Sequence, residues 1–284
     1  MVVPNGRYHF TLETPVQSHR EGEAAVTTLK LATWNVNSLA VRLPQVLDWL
    51  AANPVDALVL QETKLTDDKF PHAEFEAAGY RAQWHGQKTY NGVALLSRAE
   101  AAGIVKNIPG HDDAQARLIA GTVGGVRVVG GYMPNGQAPG TDKFDYKMAW
   151  YRALRDWLHG EIARQPRLVL MGDFNIAPED RDVHDPELWR GQILCTDEER
   201  EQFRKLVALG LHDAFRLFDQ PEKSWSWWDY RNLAFRRNQG LRIDHILVSD
   251  ALRAQVTACR IDKLPRKNER PSDHAPVVVE IDAG

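Results

Sequence analysis

Asp173 and Asn175 lie two residues apart in RLVLMGDFNIAP, where an aliphatic run beginning after Arg167 stops at Gly172. A short apolar run ended by glycine reads as an interior strand. Residues i and i+2 of a strand share a face, so this spacing projects Asp173 and Asn175 together from the strand's exit. Asp and Asn are also common turn formers, and alone the pair fits a turn equally well. Other polar groups stand at similar places. Asn35 follows an apolar run in ATWNVN, Glu62 ends LVLQE, and Tyr132 sits in GGYMPNG. Asp244 interrupts the apolar LRIDHILVS, where an unpaired charge would be expensive. Asp273 and His274 come just before the last apolar run. Singly, each has a plain reading: a strand-end salt bridge for Glu62, a capped amide for Asn35, a turn for Ser272 to His274. Together they gather acid, amide, phenol and imidazole at strand ends, where functional sites commonly lie.

The set suits hydrolysis of a phosphate ester. Carboxylates and amides are hard oxygen ligands of the kind Mg²⁺ takes, with Mn²⁺ as a substitute. No HExxH and no Cys/His cage is present, which disfavours zinc. Asp173 is placed to accept a proton from an attacking water that Asn175 orients. His274 can set positive charge against the developing pentacovalent phosphate, with a nearby carboxylate holding its tautomer. No Ser-His-Asp or Cys-His arrangement competes.

Groups this far apart in the chain need a frame to bring them together. Apolar segments of strand length recur as LKLATWNV, DALVLQE, NGVALLS, RLIAGTV, VRVVGGYM, RLVLMGD, LRIDHILVS and APVVVEI. Helical periodicity fills Val41 to Leu50, with Pro44 near its start, and Lys143 to Ile162. A third helix over Glu199 to Leu209 is closed by Gly210. The VGG link is too short for a crossover helix and forms a hairpin turn. The sheets are therefore mixed with helices outside, α/β or α+β, in one domain from residue 29 to the C-terminus. Residues 1–28 are polar, carry no apolar core of a signal peptide, and read as a poorly ordered extension.

The net charge of -3 gives no global basic field, so a polyanion must meet a local patch or a bound cation. Two widely separated cysteines, Cys195 and Cys259, exclude a disulfide scaffold and point to a reduced, cytoplasmic protein. No segment is long enough to span a membrane. With no phosphate loop and no GxGxxG, nucleotide-binding folds lose their main support.

The motifs WNVNSL, LQETK, GDFNIAP, SWWDYR, GLRIDHIL and PSDHAPV, in order from about Leu29 to Ile281, resemble those of the exonuclease III family of DNA-repair nucleases. This family lies within the endonuclease/exonuclease/phosphatase superfamily. The resemblance implies a four-layered α-β-β-α sandwich of two mixed sheets flanked by helices. It also implies Mg²⁺-dependent cleavage of DNA phosphodiesters at one edge of the paired sheets. The family's activities are abasic-site incision, 3'-to-5' exonuclease on duplex DNA, and removal of 3'-phosphate or phosphoglycolate blocks. By the same resemblance Glu62 is the main metal ligand, with Asn35 and Asp273 close to the metal. Asp173 activates the water, Asn175 and Tyr132 contact the scissile phosphate, and His274 is paired with Asp244. The implied partner is double-stranded DNA with abasic sites, nicks or blocked 3' ends, bound by a monomer.

Two stretches are candidates for DNA contact. SWSWWDYR concentrates aromatics that either pack in a core or, as the resemblance places Trp227 and its neighbour Trp228, flank an extrahelical sugar or base. The following loop carries Arg231, Arg236, Arg237 and Arg242, suited to backbone phosphates if it is not merely a solvated face. Lys88 and Arg117 are weaker candidates. His184 departs from the pattern of the family's best-known abasic endonucleases, in which a smaller residue is usual. Its imidazole is expected to crowd the cleft beyond the lesion, favouring 3'-termini over intact strands, against the plain reading of a surface histidine. Two other functions compete: a phosphohydrolase of inositol phosphates or sphingomyelin, and a non-catalytic DNA-damage binding module.

Overall fold

The computed structural model describes residues 1–2 and 28–282. Apart from its ends, the anticipated extension over residues 1–28 falls outside the described residues. Twelve strands are formed by the described residues. They are β1 (Thr28–Asn35), β2 (Ala57–Gln61), β3 (Arg81–His85), β4 (Val93–Ser97), β5 (Ala102–Lys106) and β6 (Leu118–Val123). Beyond them come β7 (Val126–Tyr132), β8 (Leu168–Asp173), β9 (Leu211–Asp213), β10 (Asp244–Ser249), β11 (Val256–Ile261) and β12 (Val277–Asp282). The α-helices are α1 (Leu39–Ala52), α2 (His72–Ala77), α3 (Asp142–Arg164), α4 (Pro186–Trp189), α5 (Asp197–Val207) and α6 (Asp250–Arg253).

Two six-stranded sheets result, ordered β11-β12-β1-β2-β4-β3 and β5-β6-β7-β8-β10-β9. Each contains one parallel pair, β1 with β2 and β7 with β8, and is otherwise antiparallel. Strand alternation sends one set of side chains from each sheet into a shared interior. Leu31, Val59, Leu95 and Val279 there meet Ile119, Val128, Val169 and Ile246, all essentially excluded from water. The opposite faces are covered by helices. Trp34, Leu58 and Leu60 pack with Val46, Trp49 and Leu50 of α1. Val129, Leu168 and Leu170 pack with Tyr151, Leu154 and Leu158 of α3 and with Phe203 and Leu206 of α5. Four layers, helix-sheet-sheet-helix, follow from these three apolar interfaces, as the family resemblance implied. No described helix is long and apolar enough to cross a membrane.

The hairpin anticipated at VGG joins β6 to β7 with Val123 opposite Val126. Gly124 and Gly125 both take positive φ, 56° and 75°, as a two-residue turn matched to strand twist requires. Helix boundaries differ modestly from expectation. Helix α1 begins two residues before Val41, because Leu39 N–H finds an acceptor outside the helix, the carbonyl of Thr63 at 3.0 Å. Helix α5 starts earlier, where Thr196 and Glu199 cap its first turn reciprocally. It ends at Val207, so Gly210 lies past the C-cap rather than on it.

Candidate active site

The two parallel pairs point their C-terminal ends at the same rim. Asn35 closes β1, and Glu62 follows the last residue of β2. Tyr132 and Asp173 close β7 and β8 and are register partners. Because β10 runs antiparallel to β8, its first residue, Asp244, is the partner of Asp173. His274 precedes β12, which is antiparallel to β1, and so arrives at the same rim. Its carbonyl accepts from Trp34 Nε1 at 3.2 Å, and its N–H donates to Ser272, whose hydroxyl donates to Asn35 O at 2.6 Å. Six sequence-distant residues thus meet where the two sheets converge.

The turn into the site after β8 combines both readings of Asp173 and Asn175. Gly172 is required, since a Cβ there would sit 1.9 Å from the carbonyl oxygen of Gly131. Asp173 then accepts the N–H of Asn175 on Oδ1 at 2.9 Å, an Asx-type turn. Asn175 takes φ 50°, so a turn, and not strand alternation, sets its backbone N–H on the Asp173 carboxylate. Glu62 also adopts a left-handed conformation, φ 51°, its carbonyl accepting the N–H of Ser38 at 2.8 Å. Each such residue costs about 1–3 kcal/mol and persists only where its surroundings over-determine it.

Glu62, Asp173 and His274 each present a ligand-type atom within 4.8 Å of the others. Asn35 Nδ2 bridges the two carboxylates, 2.9 Å from Glu62 Oε1 and 2.9 Å from Asp173 Oδ2. Its own oxygen accepts the N–H of Asn37. Asp273 stands aside from this cluster: its oxygens accept from Asn37 Nδ2 at 3.0 Å and Trp227 Nε1 at 2.9 Å. Lys64, which the sequence reading did not single out, places Nζ 2.9 Å from Glu62 Oε2 and 2.6 Å from Asn37 Oδ1.

His274 presents Nδ1 to Asp244 and Nε2 toward Asp173, 3.7 Å away. Burial alone would depress its pKa, but Asp244 and then Asp173 outweigh that and raise it to about 10. The oxygen donors of the cluster are two carboxylates, which fits a hard cation held by few protein ligands and the substrate's own phosphate. Burial, with Asp244 adding to it and His274 opposing, pushes Asp173 up to about 7. Burial, then the charges of Glu62 and Asp173, hold the Tyr132 phenol well above its usual value, so it stays a neutral donor.

Asn175 donates from Nδ2 to the carbonyl of Met133 at 3.0 Å and accepts on Oδ1 from Asn135 Nδ2 at 3.0 Å. Asn135, in GGYMPNG, carries no sequence signal of its own. A cavity of about 820 Å³ opens beside Tyr132, lined by Tyr90, Asn91, Arg117, Asn135 and Tyr146 among others.

The endonuclease/exonuclease/phosphatase family profile matches residues 32–274. Exodeoxyribonuclease III of Haemophilus influenzae is 36% identical over 266 residues, covering 89% of this chain and all of its own length. The chain belongs to the exonuclease III family. Among solved structures, the 3'-5' exonuclease NExo of Neisseria meningitidis is similar at 50% identity and TM-score 0.88, covering 89% of this chain and all of its own. Another structure of NExo, described as a 3' phosphatase bound to product DNA hairpin, matches equally well, covering 89% of this chain and 99% of its own. An AP endonuclease from Archaeoglobus fulgidus reaches TM-score 0.86 at 36% identity, covering 89% of this chain and 99% of its own. The chain is therefore a hydrolase, a nuclease of exonuclease III or AP endonuclease type.

Within this exonuclease III fold the anticipated DNA-contact residues divide. Trp227 is partly exposed and bridges His274 on one side and Leu241 on the other. Trp228 is fully buried and packs edge-on against Phe235, so its ring belongs to a small core and offers DNA no surface. Arg242 is likewise no surface group. It is buried in a network with Asp182 and Asp213, where the charges satisfy one another. Arg231, Arg236, Arg237 and Lys88 are exposed, Arg231 being paired with Asp229. Arg117 is 8% exposed and stacks over Tyr132 at 4.9 Å while donating to its carbonyl, which steadies the phenol. Arg42, not foreseen, ties the site's loops by donating to Asn37 O, Pro271 O and the Tyr230 hydroxyl. His184 is half-buried, its Nδ1 3.3 Å from Gly240 O and its ring edge-on to Trp189.

Proposed function

We propose that this exonuclease III family member is a Mg²⁺-dependent DNA 3'-end-processing nuclease, removing 3'-phosphates and 3'-terminal nucleotides at nicks and ends. Incision at intact abasic sites is the minor activity. The observation that carries the hydrolytic reading is the convergence of Glu62, Asp173 and His274 within 4.8 Å at the shared rim. Glu62 would hold the cation, with Asn35 fixing its distance from Asp173. When bound, Mg²⁺ supplies charge neutralisation at the phosphate oxygens.

The chain's own groups do the rest. Asp173, ionised above about pH 7, takes the proton of the attacking water. Asn175 and Asn135, joined by their amides, and the neutral Tyr132 phenol donate to the non-bridging phosphate oxygens and set the in-line geometry. His274, protonated and held by Asp244, faces the charge that develops on the phosphate in the transition state. Trp227 and the exposed Arg236 and Arg237 supply stacking and phosphate contacts on the flanking duplex.

The preference for 3'-termini rests on His184. It is linked to the site through a ladder: Val183 bridges Leu241, Leu241 bridges Trp227, and Trp227 bridges His274. An imidazole fixed to Gly240 and Trp189 at this edge crowds the path of a continuing strand, whereas a strand that ends there needs no such space. The 50% identity to NExo supports the same reading. Parent and His184→Gly are compared on a duplex with one internal abasic site and on one with a 3'-phosphate nick. The glycine variant is expected to gain abasic incision relative to 3'-phosphate release. An unchanged ratio would count against the assignment. Activity confined to inositol phosphates would overturn the DNA reading altogether.

A further inference from the structure

Beneath the two asparagines lies a charge that the mechanism above does not use. Lys147 of α3 and Glu199 of α5 form an ion pair with both side chains fully excluded from water. The three N–H bonds of the ammonium are all assigned: Glu199 Oε1, Asn175 O at 2.7 Å and Asn135 O at 3.1 Å. Glu199 is equally occupied. Its Oε1 also accepts from Leu194 N, and its Oε2 accepts from Thr196 N and the Thr196 hydroxyl. Segments following β7 and β8 and two helices of the outer layer are thus tied to one nitrogen.

Stability alone gives no reason for such a pair. Two buried charges replaced by apolar groups of similar volume usually leave a protein as stable or more so. What an apolar pair cannot do is grip two carbonyl oxygens. The gripped carbonyls belong to Asn135 and Asn175, the residues whose side-chain amides meet at 3.0 Å beside Asp173. The loop is packed directly on the lysine stem, since a Cβ on Gly136 would come within 2.9 Å of Lys147 Cδ. The left-handed turn at Asn175 also needs an external hold on its carbonyl to keep one geometry.

We propose that the Lys147–Glu199 pair is a positioning device for catalysis, fixing the peptide planes of Asn135 and Asn175 so that both amides face the scissile phosphate. It acts through the asparagines, touches no substrate, and rests on their assignment as phosphate donors. Its effect falls on kcat, because misplacing donors by a fraction of an ångström weakens the transition state more than ground-state DNA binding.

The test uses the full chain and a duplex with one 3'-phosphate nick, with kcat expressed per native molecule from near-UV circular dichroism at the assay temperature. Lys147→Met/Glu199→Gln removes both charges together and leaves no buried ion alone. Its kcat is expected to fall about 100-fold with KM changed by less than about threefold. Lys147→Arg, which keeps charge and donors, is expected to restore part of that loss. A kcat for the double variant within threefold of the parent would overturn the proposal. Asn175→Ala separates the two levels: if it retains parental kcat, the asparagine assignment itself fails. An inactive Asn175→Ala beside a fully active double variant removes only the brace.

Discussion

His274 presents Nδ1 to both oxygens of Asp244, 2.9 and 3.1 Å away, while its Nε2 looks toward Asp173. Burial pulls the imidazole toward neutrality, and Asp244 is the largest influence against it. Asp244→Asn should therefore let the His274 pKa fall from about 10 toward neutrality. The alkaline limb of kcat against pH then moves down, and kcat at pH 9 drops about 100-fold, the scale of losing one charged stabiliser. A pH–rate profile checks this. An alkaline limb that stays in place would show that Asp244 does not hold the proton.

Glu62 is the carboxylate at the cluster whose partners are Asn35 and Lys64. Glu62→Gln keeps the shape and removes one unit of charge from a site with few protein ligands. The Mg²⁺ concentration for half-maximal activity should rise about tenfold or more, the scale on which ligand-shell changes act. EDTA should abolish turnover in the parent. A Mg²⁺ dependence identical to the parent's would remove Glu62 from the metal site.

His245 is buried between Arg242 and the carbonyl of Ile176. Burial, reinforced by Arg242, holds its pKa down to about 4. The unfolded chain binds that proton near pH 6.5, so this contribution is complete above that value and is lost as pH falls toward 4. Asp173, raised to about 7, has the opposite sign between about 4 and 7, because there the folded state holds the extra proton. The parent's net curve therefore conceals both, and a difference is needed. The stability gap between parent and His245→Gln should narrow by about 2 kcal/mol from pH 7.5 to pH 5. Urea melts at the two pH values measure it, and a constant gap would refute the buried neutral histidine.

The aromatic and basic stretches should separate cleanly. Trp228→Ala empties a packed site and should destabilise the fold by about 3–5 kcal/mol. Arg236→Ala and Arg237→Ala should leave stability unchanged within about 0.5 kcal/mol. Each should instead lower the slope of log K against log salt for duplex DNA by about 0.9. Thermal melts and salt titrations of binding decide. A salt slope untouched by both arginine changes would place the DNA elsewhere.

Eight strands are legible in the sequence, and the four that are not, β3, β5, β9 and β11, are the four sheet edges. An edge strand is covered on fewer sides, so it carries no continuous apolar run: Arg81–His85 and Ala102–Lys106 contain no fully buried residue. The site residues are legible because each stands at, or within a few residues of, the end of an interior strand, where a polar residue breaks an apolar pattern. Lys64 and Asn135 escape the same reading because they lie in loops with no pattern to break, and Arg42 because it is an ordinary polar residue in the first turn of α1; only tertiary contacts give them a role. Trp228 and Arg242 mislead for a related reason. Composition shows that Trp and Arg are concentrated there but not which way each side chain turns, and both turn inward.

In the proposed mechanism Asp173 moves the proton of the attacking water. Asp173→Asn preserves shape and the bond from Asn35 while removing the base. Its turnover of a 3'-phosphate nick with Mg²⁺ and its Kd for the same duplex should be measured together. Turnover is expected to fall about 10⁴-fold, the upper scale of general-base catalysis, with Kd within about threefold of the parent. Near-parental turnover with intact binding would contradict it.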